Sequence, residues 1–140
     1  MGKLETARQC ADAMLANDRS SKALGIAIDI PEAGQAMATM TVRDDMINGF
    51  DVLHGGLAFT LADTAFAFAC NAYNSRSVAA SAQIEFLRPA RLGDLLTATA
   101  REDHRGRRNG YYSVEVRNQR DELVALFRGR CVSNGEPCMK

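Results

Sequence analysis

The sequence has no excess of charge of either sign, because 17 Lys and Arg residues balance 17 Asp and Glu residues among its 140. A chain with this balance has no broad electrostatic attraction to nucleic acid or to an anionic membrane. The sequence also lacks a phosphate-binding glycine loop and the G-x-S-x-G turn that carries a nucleophilic serine. We therefore predict no nucleic-acid partner and no membrane partner. Because both motifs are absent, neither nucleotide binding nor a serine nucleophile of this type is indicated.

No apolar stretch is long enough to cross a bilayer. The longest run covers residues 57–70 and holds Asp63 at its centre, whereas a spanning helix needs about 20 apolar residues. The first ten residues, MGKLETARQC, lack the apolar core of a signal peptide. We therefore expect a cytoplasmic protein.

The four cysteines, Cys10, Cys70, Cys131 and Cys138, are widely spaced and form no C-x-x-C pair. None of them has a histidine next to it, so the spacing does not match a zinc site. Reduced thiols in a cytoplasmic protein are the simpler interpretation. We predict no metal and no cofactor.

Two helices and six strands are predicted within one domain that covers residues 1–140. A helix is expected over 3–17, ended by NDRSS, and a long apolar helix over about 55–72. The first two strands lie around the turn at Pro31 to Gly34, and the later strands are expected at 77–89, 94–104, 111–119 and 122–132. The last residues, 133–140, are expected to fray.

The order of these elements predicts an α+β fold. Helix, two strands, helix and four strands in an antiparallel meander differ from the βαβ alternation of a parallel sheet. A helix that is apolar on every face must be surrounded, and a curved antiparallel sheet of five to six strands can do this. One sheet leaves part of the helix uncovered, so we expect a second subunit and a homodimer.

Asp63 is the one charged residue in the apolar helix. An unpaired carboxylate in an apolar interior is costly, and the helical neighbours three and four residues away include no cation. Asp63 could pair with an arginine or cap a loop, although its position two turns inside the helix argues against local capping. It could instead be functional, because perturbed carboxylates concentrate at active sites.

The segment HGG at residues 54–56 is the second candidate. Gly55 and Gly56 begin the helix, where free N–H groups and partial positive charge can polarise a carbonyl oxygen. The two glycines could equally form only a tight entry turn. His54 could be a general base but is more often a positioning residue, and Asn48 could be a turn residue or an amide that holds water or a carbonyl.

Gly55 and Asp63 of the same chain are too far apart along the helix to act on the same substrate. Eight residues of helix separate them by about 12 Å along the axis, too far to contact one reacting group. Two such helices lying antiparallel across a two-fold axis could bring Gly55 of one chain to Asp63 of the other. A site built on both residues would therefore be shared between subunits, with two sites per dimer.

Three segments carry a family resemblance: NGFDVLHGGLAFTLADTAFAFACN, SAQIEFLRPARLGDLLTATA and VALFRGR. Together they resemble the phenylacetic-acid-degradation thioesterases of the hotdog superfamily, over about residues 23–130. The resemblance implies a hotdog fold, in which the antiparallel sheet wraps the central helix, and a homodimer that often pairs into a homotetramer. It also implies hydrolysis of a coenzyme A (CoA) thioester, with phenylacetyl or hydroxyphenylacetyl groups as the expected acyl class.

The resemblance assigns roles to the residues already singled out. It implies that Asp63 is the nucleophile or general base, that the Gly55 N–H polarises the thioester carbonyl, and that Asn48 holds the carbonyl or the water. His54 matches the motif histidine, with an orienting role, and Gly56 lies beside the substrate.

Other substrate contacts follow less directly. Some relatives place a hydroxyl on the strand after the helix, where this chain has Ala79. Ser81, two residues further on, is expected to face the same side of the strand and is a weak candidate for that hydroxyl. The CoA phosphates need cations, and the candidates are Arg88 and Arg128, with Arg105, Arg107, Arg108 and Arg130 as further members of the group. Met46, Leu53 and Phe59 are candidates for the acyl pocket by proximity in sequence.

Two alternatives belong to other functional classes. A non-catalytic hotdog module that only binds acyl-CoA would not need a carboxylate at Asp63. A hotdog dehydratase uses a histidine and a carboxylate in a motif that this sequence does not contain.

Overall fold

The computed structural model describes residues 1–139, and Lys140 lies outside the described residues. The helices are α1 (Lys3–Leu15), α2 (Arg19–Ala23) and α3 (Gly55–Cys70), with a 3-10 turn at Asp44–Met46. The strands are β1 (Ala27–Asp29), β2 (Gln35–Thr41), β3 (Ser77–Phe86), β4 (Leu95–Arg105), β5 (Asn109–Arg117) and β6 (Leu123–Ser133).

The six strands form one antiparallel sheet in the order β1-β2-β4-β5-β6-β3. The predicted meander of the last four strands is therefore wrong for β3, which pairs with β6 at the sheet edge rather than with β4. The reason is the helix that precedes it. Because α3 packs across β2, β4 and β5, the chain leaves the helix at the far edge and must return to place β4 beside β2.

The core lies between α3 and the concave face of the sheet. Alternate residues of the central strands are buried there, as expected for strands with one face in the core. Small side chains on β2 and β4 let the helix approach closely; they are Ala36, Ala38, Ala98 and Ala100, each 0% exposed. The helix contributes larger groups, including Leu61, Phe66 and Phe68.

The Phe66 ring of α3 packs tightly against Gly129 of β6. A Cβ atom added there would lie 2.9 Å from two ring carbons of Phe66 and 3.0 Å from Phe127. The Phe66 ring also packs against Tyr112 and Phe127, with ring centroids 5.7 Å apart in each pair. Only glycine leaves room for this aromatic cluster.

The sheet covers one side of α3 and leaves a stripe partly open. From residue 60 to the end of the helix, the residues that are not fully buried are Thr60, Asp63, Thr64 and Ala67. Their spacing of three or four residues places them on one face of the helix. The threonine hydroxyls are satisfied within the helix, since Thr60 donates to the Gly56 carbonyl at 2.9 Å and Thr64 to the Thr60 carbonyl at 2.7 Å. Asp63 is therefore on the uncovered side of the helix.

The ends of the two predicted helices differ by two residues from the structure. The segment at residues 16–20 ends α1 at Leu15, but it also begins α2, a short helix that the sequence analysis did not predict. Asp18 caps α2, because its carboxylate accepts bonds from the Ser21 N–H at 2.9 Å and the Ser21 hydroxyl at 2.7 Å. The central helix ends at Cys70 rather than near 72. No helix within residues 1–139 combines the length and apolarity that crossing a membrane requires.

The C-terminal segment is bound to the rest of the chain, contrary to the expected fraying from residue 133. Ser133 belongs to β6, and the Arg76 backbone exchanges bonds with the tail, donating to Glu136 at 2.6 Å and accepting from Asn134 at 3.0 Å. The Met139 N–H donates to the Asn74 side chain at 2.9 Å. The tail therefore extends the pairing of β6 with the segment that begins β3.

The contact between Gly129 and Phe66 generates a stability prediction. Gly129→Ala should lower the free energy of unfolding by roughly 1–3 kcal/mol, because the added methyl overpacks the ring cluster. Chemical denaturation of the two proteins measures the difference. Gly49→Ala is the matched control, since nothing lies within 4 Å of a Cβ atom at that position. Equal stability of Gly129→Ala and the wild type would contradict the packing described here.

Candidate active site

The first turn of α3 presents free backbone donors. His54 precedes the helix with φ −58° and ψ 129°, and its carbonyl accepts the Leu57 N–H at 2.9 Å. The N–H groups of Gly55 and Gly56 have no acceptor among residues 1–139. The exposed His54 side chain makes no capping bond, so it leaves these donors open. A carbonyl oxygen can therefore reach the positive end of the helix.

Asn48 organises the loop that leads to this turn. Its Oδ1 accepts the N–H groups of Phe50 at 2.9 Å and Val52 at 3.3 Å, and its backbone pairs with Val52. Asp51 adopts a left-handed φ of 61° within the same turn. Asn48 is therefore a turn residue through its Oδ1 atom, as one of the two interpretations predicted. The Nδ2 group donates no hydrogen bond within the described chain and can serve a ligand.

The loop is held against the segment that follows β3. The Leu53 N–H donates to the Ala90 carbonyl at 2.8 Å, and the His54 N–H donates to the Met46 carbonyl at 2.9 Å. These bonds place Gly55 beside Phe86, the last residue of β3, at the mouth of an apolar cavity. Phe86 was not among the predicted site residues, because it lies 31 positions from Gly55 and has no local sequence signal of its role.

Asp63 makes no hydrogen bond and no ion pair with any of residues 1–139. Neither the capping role nor the arginine pair considered from the sequence is observed. Its carboxylate is half-buried on the uncovered stripe of α3. Burial raises the pKa of the Asp63 carboxyl above its usual value, because desolvation disfavours the charged form. This is the environment of a group available for proton transfer.

One chain does not bring Gly55 and Asp63 together. Both lie on the single continuous helix α3, eight positions apart. At about 1.5 Å per residue they are separated by about 12 Å along the axis. The free donors and the carboxylate are therefore two halves that a single subunit keeps apart.

Ser81 lies on the wrong face of β3 for the role considered from the sequence. Ala79 pairs with the buried Cys131, but a β-bulge follows, and Ser81 pairs with Arg130 on the convex face. The bulge inserts one extra residue, so the rule that residues two apart share a face fails between Ala79 and Ser81. Ala79 faces α3, and the hydroxyl of Ser81 points away from it.

The candidate arginines are dispersed. Arg88 lines the cavity beside Gly55, where its guanidinium pairs with Glu122 at 3.0 Å. Arg128 is exposed on the convex face, opposite Gln83 of β3, and does not approach α3. Arg105 lies at the other end of α3, stacked 3.9 Å above the Tyr73 ring. Of the two arginines first singled out, Arg88 alone is near the helix start.

The three acyl-pocket candidates also separate. Leu53 lines the cavity beside Gly55, whereas Met46 is 2% exposed and belongs to the core. Phe59 packs edge-on against Phe127, with ring centroids 5.4 Å apart, and so faces its own sheet. Proximity in sequence therefore identified one cavity residue of three.

The cysteines lie away from this region. All four are free, and Cys70 and Cys131 line one narrow cavity at the C-terminal end of α3. Within residues 1–139 there is no group of three or more His, Cys, Asp or Glu side chains arranged to hold a metal ion.

A family model described as thioesterase superfamily matches residues 50–125, the segment that contains Gly55, Asp63 and Phe86. The chain belongs to the thioesterase superfamily. Its structural neighbours have the hotdog fold, and the predicted α+β hotdog architecture is confirmed, with six strands in the sheet.

Among individual relatives, the acyl-coenzyme A thioesterase PaaI of Escherichia coli is 51% identical over 122 residues, covering 87% of each chain. The structure of E. coli PaaI, from the phenylacetic acid degradation operon, superposes with a TM-score of 0.95 at 47% identity, covering 97% of this chain and 99% of that chain. A variant of the phenylacetic acid degradation protein PaaI from Thermus thermophilus has a TM-score of 0.79 at 36% identity, covering 82% and 98%.

A further neighbour, smu.793 from Streptococcus mutans, was solved with acetyl CoA bound. It superposes with a TM-score of 0.76 at 28% identity, covering 80% of this chain and 90% of that chain.

The raised pKa of Asp63 predicts a pH-dependent stability difference. Below the unfolded-state pKa of about 3.9 the carboxyl is protonated in both states, so burial is not penalised. As the pH rises past that value toward the folded-state pKa, ionisation favours the unfolded chain. Asp63→Asn carries no charge, so its Tm should exceed that of the wild type at neutral pH, and the gap should close near pH 3.

Thermal unfolding at several pH values measures this difference. Asp12→Asn, on the exposed face of α1, is the matched control and should show no such trend. A wild type more stable than Asp63→Asn at neutral pH would show that a contact stabilising the ionised carboxylate outweighs its burial, and would contradict the prediction that desolvation dominates the pKa of Asp63.

Proposed function

We propose that this chain hydrolyses aryl-acetyl thioesters of coenzyme A, of the phenylacetyl or hydroxyphenylacetyl class, at sites shared between two subunits. The reaction class, hydrolysis of an acyl-CoA thioester, follows from the family and from the 51% identity to an acyl-CoA thioesterase. The aryl-acetyl substrate, the shared site and the residue roles are the proposal. The whole chain serves as one thioesterase domain.

The observation that carries the proposal is a half-buried carboxylate without a partner on α3, the helix whose start has unpaired donors. Asp63 has a raised pKa and no hydrogen-bond partner in its own subunit, and Gly55 has a free N–H. Thioester hydrolysis needs both groups, one to activate the attack and one to stabilise the oxyanion. Burial of the Asp63 carboxylate without a partner is the costly feature of the two.

A two-fold dimer would join the two halves. Strand β3 is an edge of ten residues, eight of them exposed, and such a long unpaired edge favours pairing with another strand. In such a dimer the second subunit would also cover the open stripe of α3. If Gly55 of one helix faces Asp63 of the other, the axis passes midway, beside Phe59 and Thr60. Phe59 contacts its own sheet, which leaves Thr60 to face the partner.

The chemistry follows from the donors and the carboxylate. The thioester carbonyl would accept the Gly55 N–H, and negative charge developing on its oxygen would be stabilised by the helix start. As general base, Asp63 would deprotonate a water that attacks the carbonyl carbon; as nucleophile, it would form a mixed anhydride that water then cleaves. Asn48 Nδ2 would hold the carbonyl or the water, and His54 would orient the turn while Gly56 lies beside the substrate.

The two roles of Asp63 differ in an isotope experiment. Under single-turnover conditions in 18O-labelled water, hydrolysis of a mixed anhydride at the Asp63 carbonyl would leave label in that carboxylate. Label in the peptide that contains Asp63, measured by mass spectrometry, therefore shows an anhydride cleaved at the Asp63 carbonyl. An unlabelled carboxylate is expected for general-base catalysis and also for an anhydride cleaved at the acyl carbonyl.

Three further predictions remain part of the proposal. Arg88 stays a candidate for the CoA phosphates because it is the candidate arginine near the helix start, although it pairs with Glu122 and borders the apolar cavity. Pairing of dimers into a homotetramer and a cytoplasmic location are carried over from the resemblance and the sequence. The alternative function is a module that binds acyl-CoA without cleaving it. Such a module would not need the half-buried carboxylate of Asp63.

Removing the carboxylate tests the proposed role. Asp63→Asn should lower kcat for phenylacetyl-CoA by roughly 100- to 10,000-fold, the range expected on losing a general acid–base group. Free CoA is measured with a thiol reagent, and Asp12→Asn is the control that should retain wild-type activity. Equal rates for Asp63→Asn and the wild type would refute the role of Asp63. A wild type that binds acyl-CoA without releasing thiol would instead support the binding module.

A charge at the centre of the proposed interface tests the dimer. Thr60→Arg should shift the protein to monomer, because two arginines would face each other across the axis, and activity should fall with the dimer. Sedimentation measures the mass, and Gln9→Arg on the exposed face of α1 is the control for the added charge. A Thr60→Arg protein that stays dimeric and active would place the interface elsewhere.

A further inference from the structure

The Phe86 ring is packed against the backbone of Gly55. A Cβ atom added at Gly55 would lie 3.2 Å from Cζ and 3.3 Å from Cε1 of that ring, closer than most side-chain contacts. Phe86 pairs with Ala125 of β6 and so points to the same face as α3. In the single chain the side chain is nonetheless 57% exposed. An aromatic ring with one edge on the proposed oxyanion donor and the other open is placed to touch a substrate.

The ring is one wall of an apolar cavity of about 310 Å³. Leu53, Ala58 and Val124 are among the other walls, and Arg88 is at the rim. The backbone around the cavity is already paired: Leu53 donates to Ala90, and Leu87 and Arg88 both donate to the Val124 carbonyl, at 2.9 and 3.2 Å. The cavity therefore offers apolar contact with few free polar groups.

The polarity of these walls decides which arm of a thioester fits. From a carbonyl held at Gly55, one arm is the acyl group and the other is the pantetheine chain, which carries two amides. Burying amides without partners is unfavourable, so the apolar cavity suits the acyl arm. Its volume is at the small end of the range of about 300–1,000 Å³ for ligand pockets, which fits one ring or a short chain.

Resting on the proposed thioesterase function, we propose that Phe86 is a specificity-determining residue whose ring forms the acyl subsite beside Gly55 and favours aryl-acetyl groups. An aromatic acyl group can pack edge-to-face or offset against the Phe86 ring. An acetyl group offers a single methyl and no ring for this contact. The methylene of a phenylacetyl group provides the length that carries the aryl ring past Gly55 into the cavity.

Selectivity between two substrates tests this subsite. In Phe86→Leu and Phe86→Ala, the ratio of kcat/KM for phenylacetyl-CoA to that for acetyl-CoA should fall roughly 10- to 100-fold, the scale of discrimination by apolar contacts. The acetyl-CoA value should fall less than the phenylacetyl-CoA value, because acetyl makes no ring contact with Phe86. Leu126→Ala is the control, because Leu126 is a comparable exposed apolar residue on the convex face and should leave the ratio unchanged.

A double substitution tests the contact between Phe86 and Gly55. Gly55→Ala should lower phenylacetyl-CoA hydrolysis, because the new methyl pushes the Phe86 ring into the cavity. The same substitution in a Phe86→Leu background should cost several-fold less, since the shorter side chain can yield. Equal losses in the two backgrounds would show that Gly55 serves the substrate without setting the position of Phe86.

The outcomes separate this inference from the proposed function. If the wild type cleaves both thioesters but Phe86→Leu lowers the two rates equally, Phe86 has a structural role and the inference is overturned. If the ratio is unchanged in both variants, the acyl group lies elsewhere. A wild type that cleaves no acyl-CoA would overturn the proposed function. A fall in the phenylacetyl-CoA to acetyl-CoA ratio of kcat/KM in the Phe86 variants, but not in Leu126→Ala, supports the subsite.

Discussion

The burial of α3 against the concave face of the sheet is the constraint on which the rest of the structure depends. Alanines on β2 and β4, together with Gly129 on β6, let an apolar helix with bulky rings lie close to the strands. That contact fixes the direction of α3, so its first turn opens beside the end of β3. It also decides which helix residues stay uncovered, and Asp63 is one of them.

The two proposed catalytic groups are local irregularities that this packing tolerates. Helices normally satisfy or cap their first N–H groups, and buried carboxylates normally have a partner. Here Gly55 donates to nothing in its own subunit, and the pKa of Asp63 is raised because burial desolvates it. A protein can retain such groups when a large core offsets their cost. In the proposed dimer both irregularities would have a purpose, because a second subunit would complete the site and the exposed edge of β3 would provide a surface for that association.

The sequence predicted the central helix and its unpaired aspartate well because both depend on local pattern. The apolar run after HGG bounds α3 to within two residues, and no cation occurs within a turn of Asp63. The α+β class and the hotdog resemblance were likewise confirmed. Features set by distant contacts were not predictable in this way. The bulge that turns Ser81 away from α3, the pairing of β3 with β6 and the ring of Phe86 on Gly55 all depend on residues far apart in sequence.

The central claim, that each site takes Gly55 from one subunit and Asp63 from the other, can be measured with mixed dimers. One tagged subunit carries Asp63→Asn and the other carries Gly55→Pro, which removes the N–H; the extended ψ of His54 accommodates a following proline at the first helical position. Each parent homodimer should be nearly inactive. The purified heterodimer should recover about half of the wild-type kcat per dimer, because one of its two sites regains both groups. A heterodimer no more active than its parents would contradict the shared site.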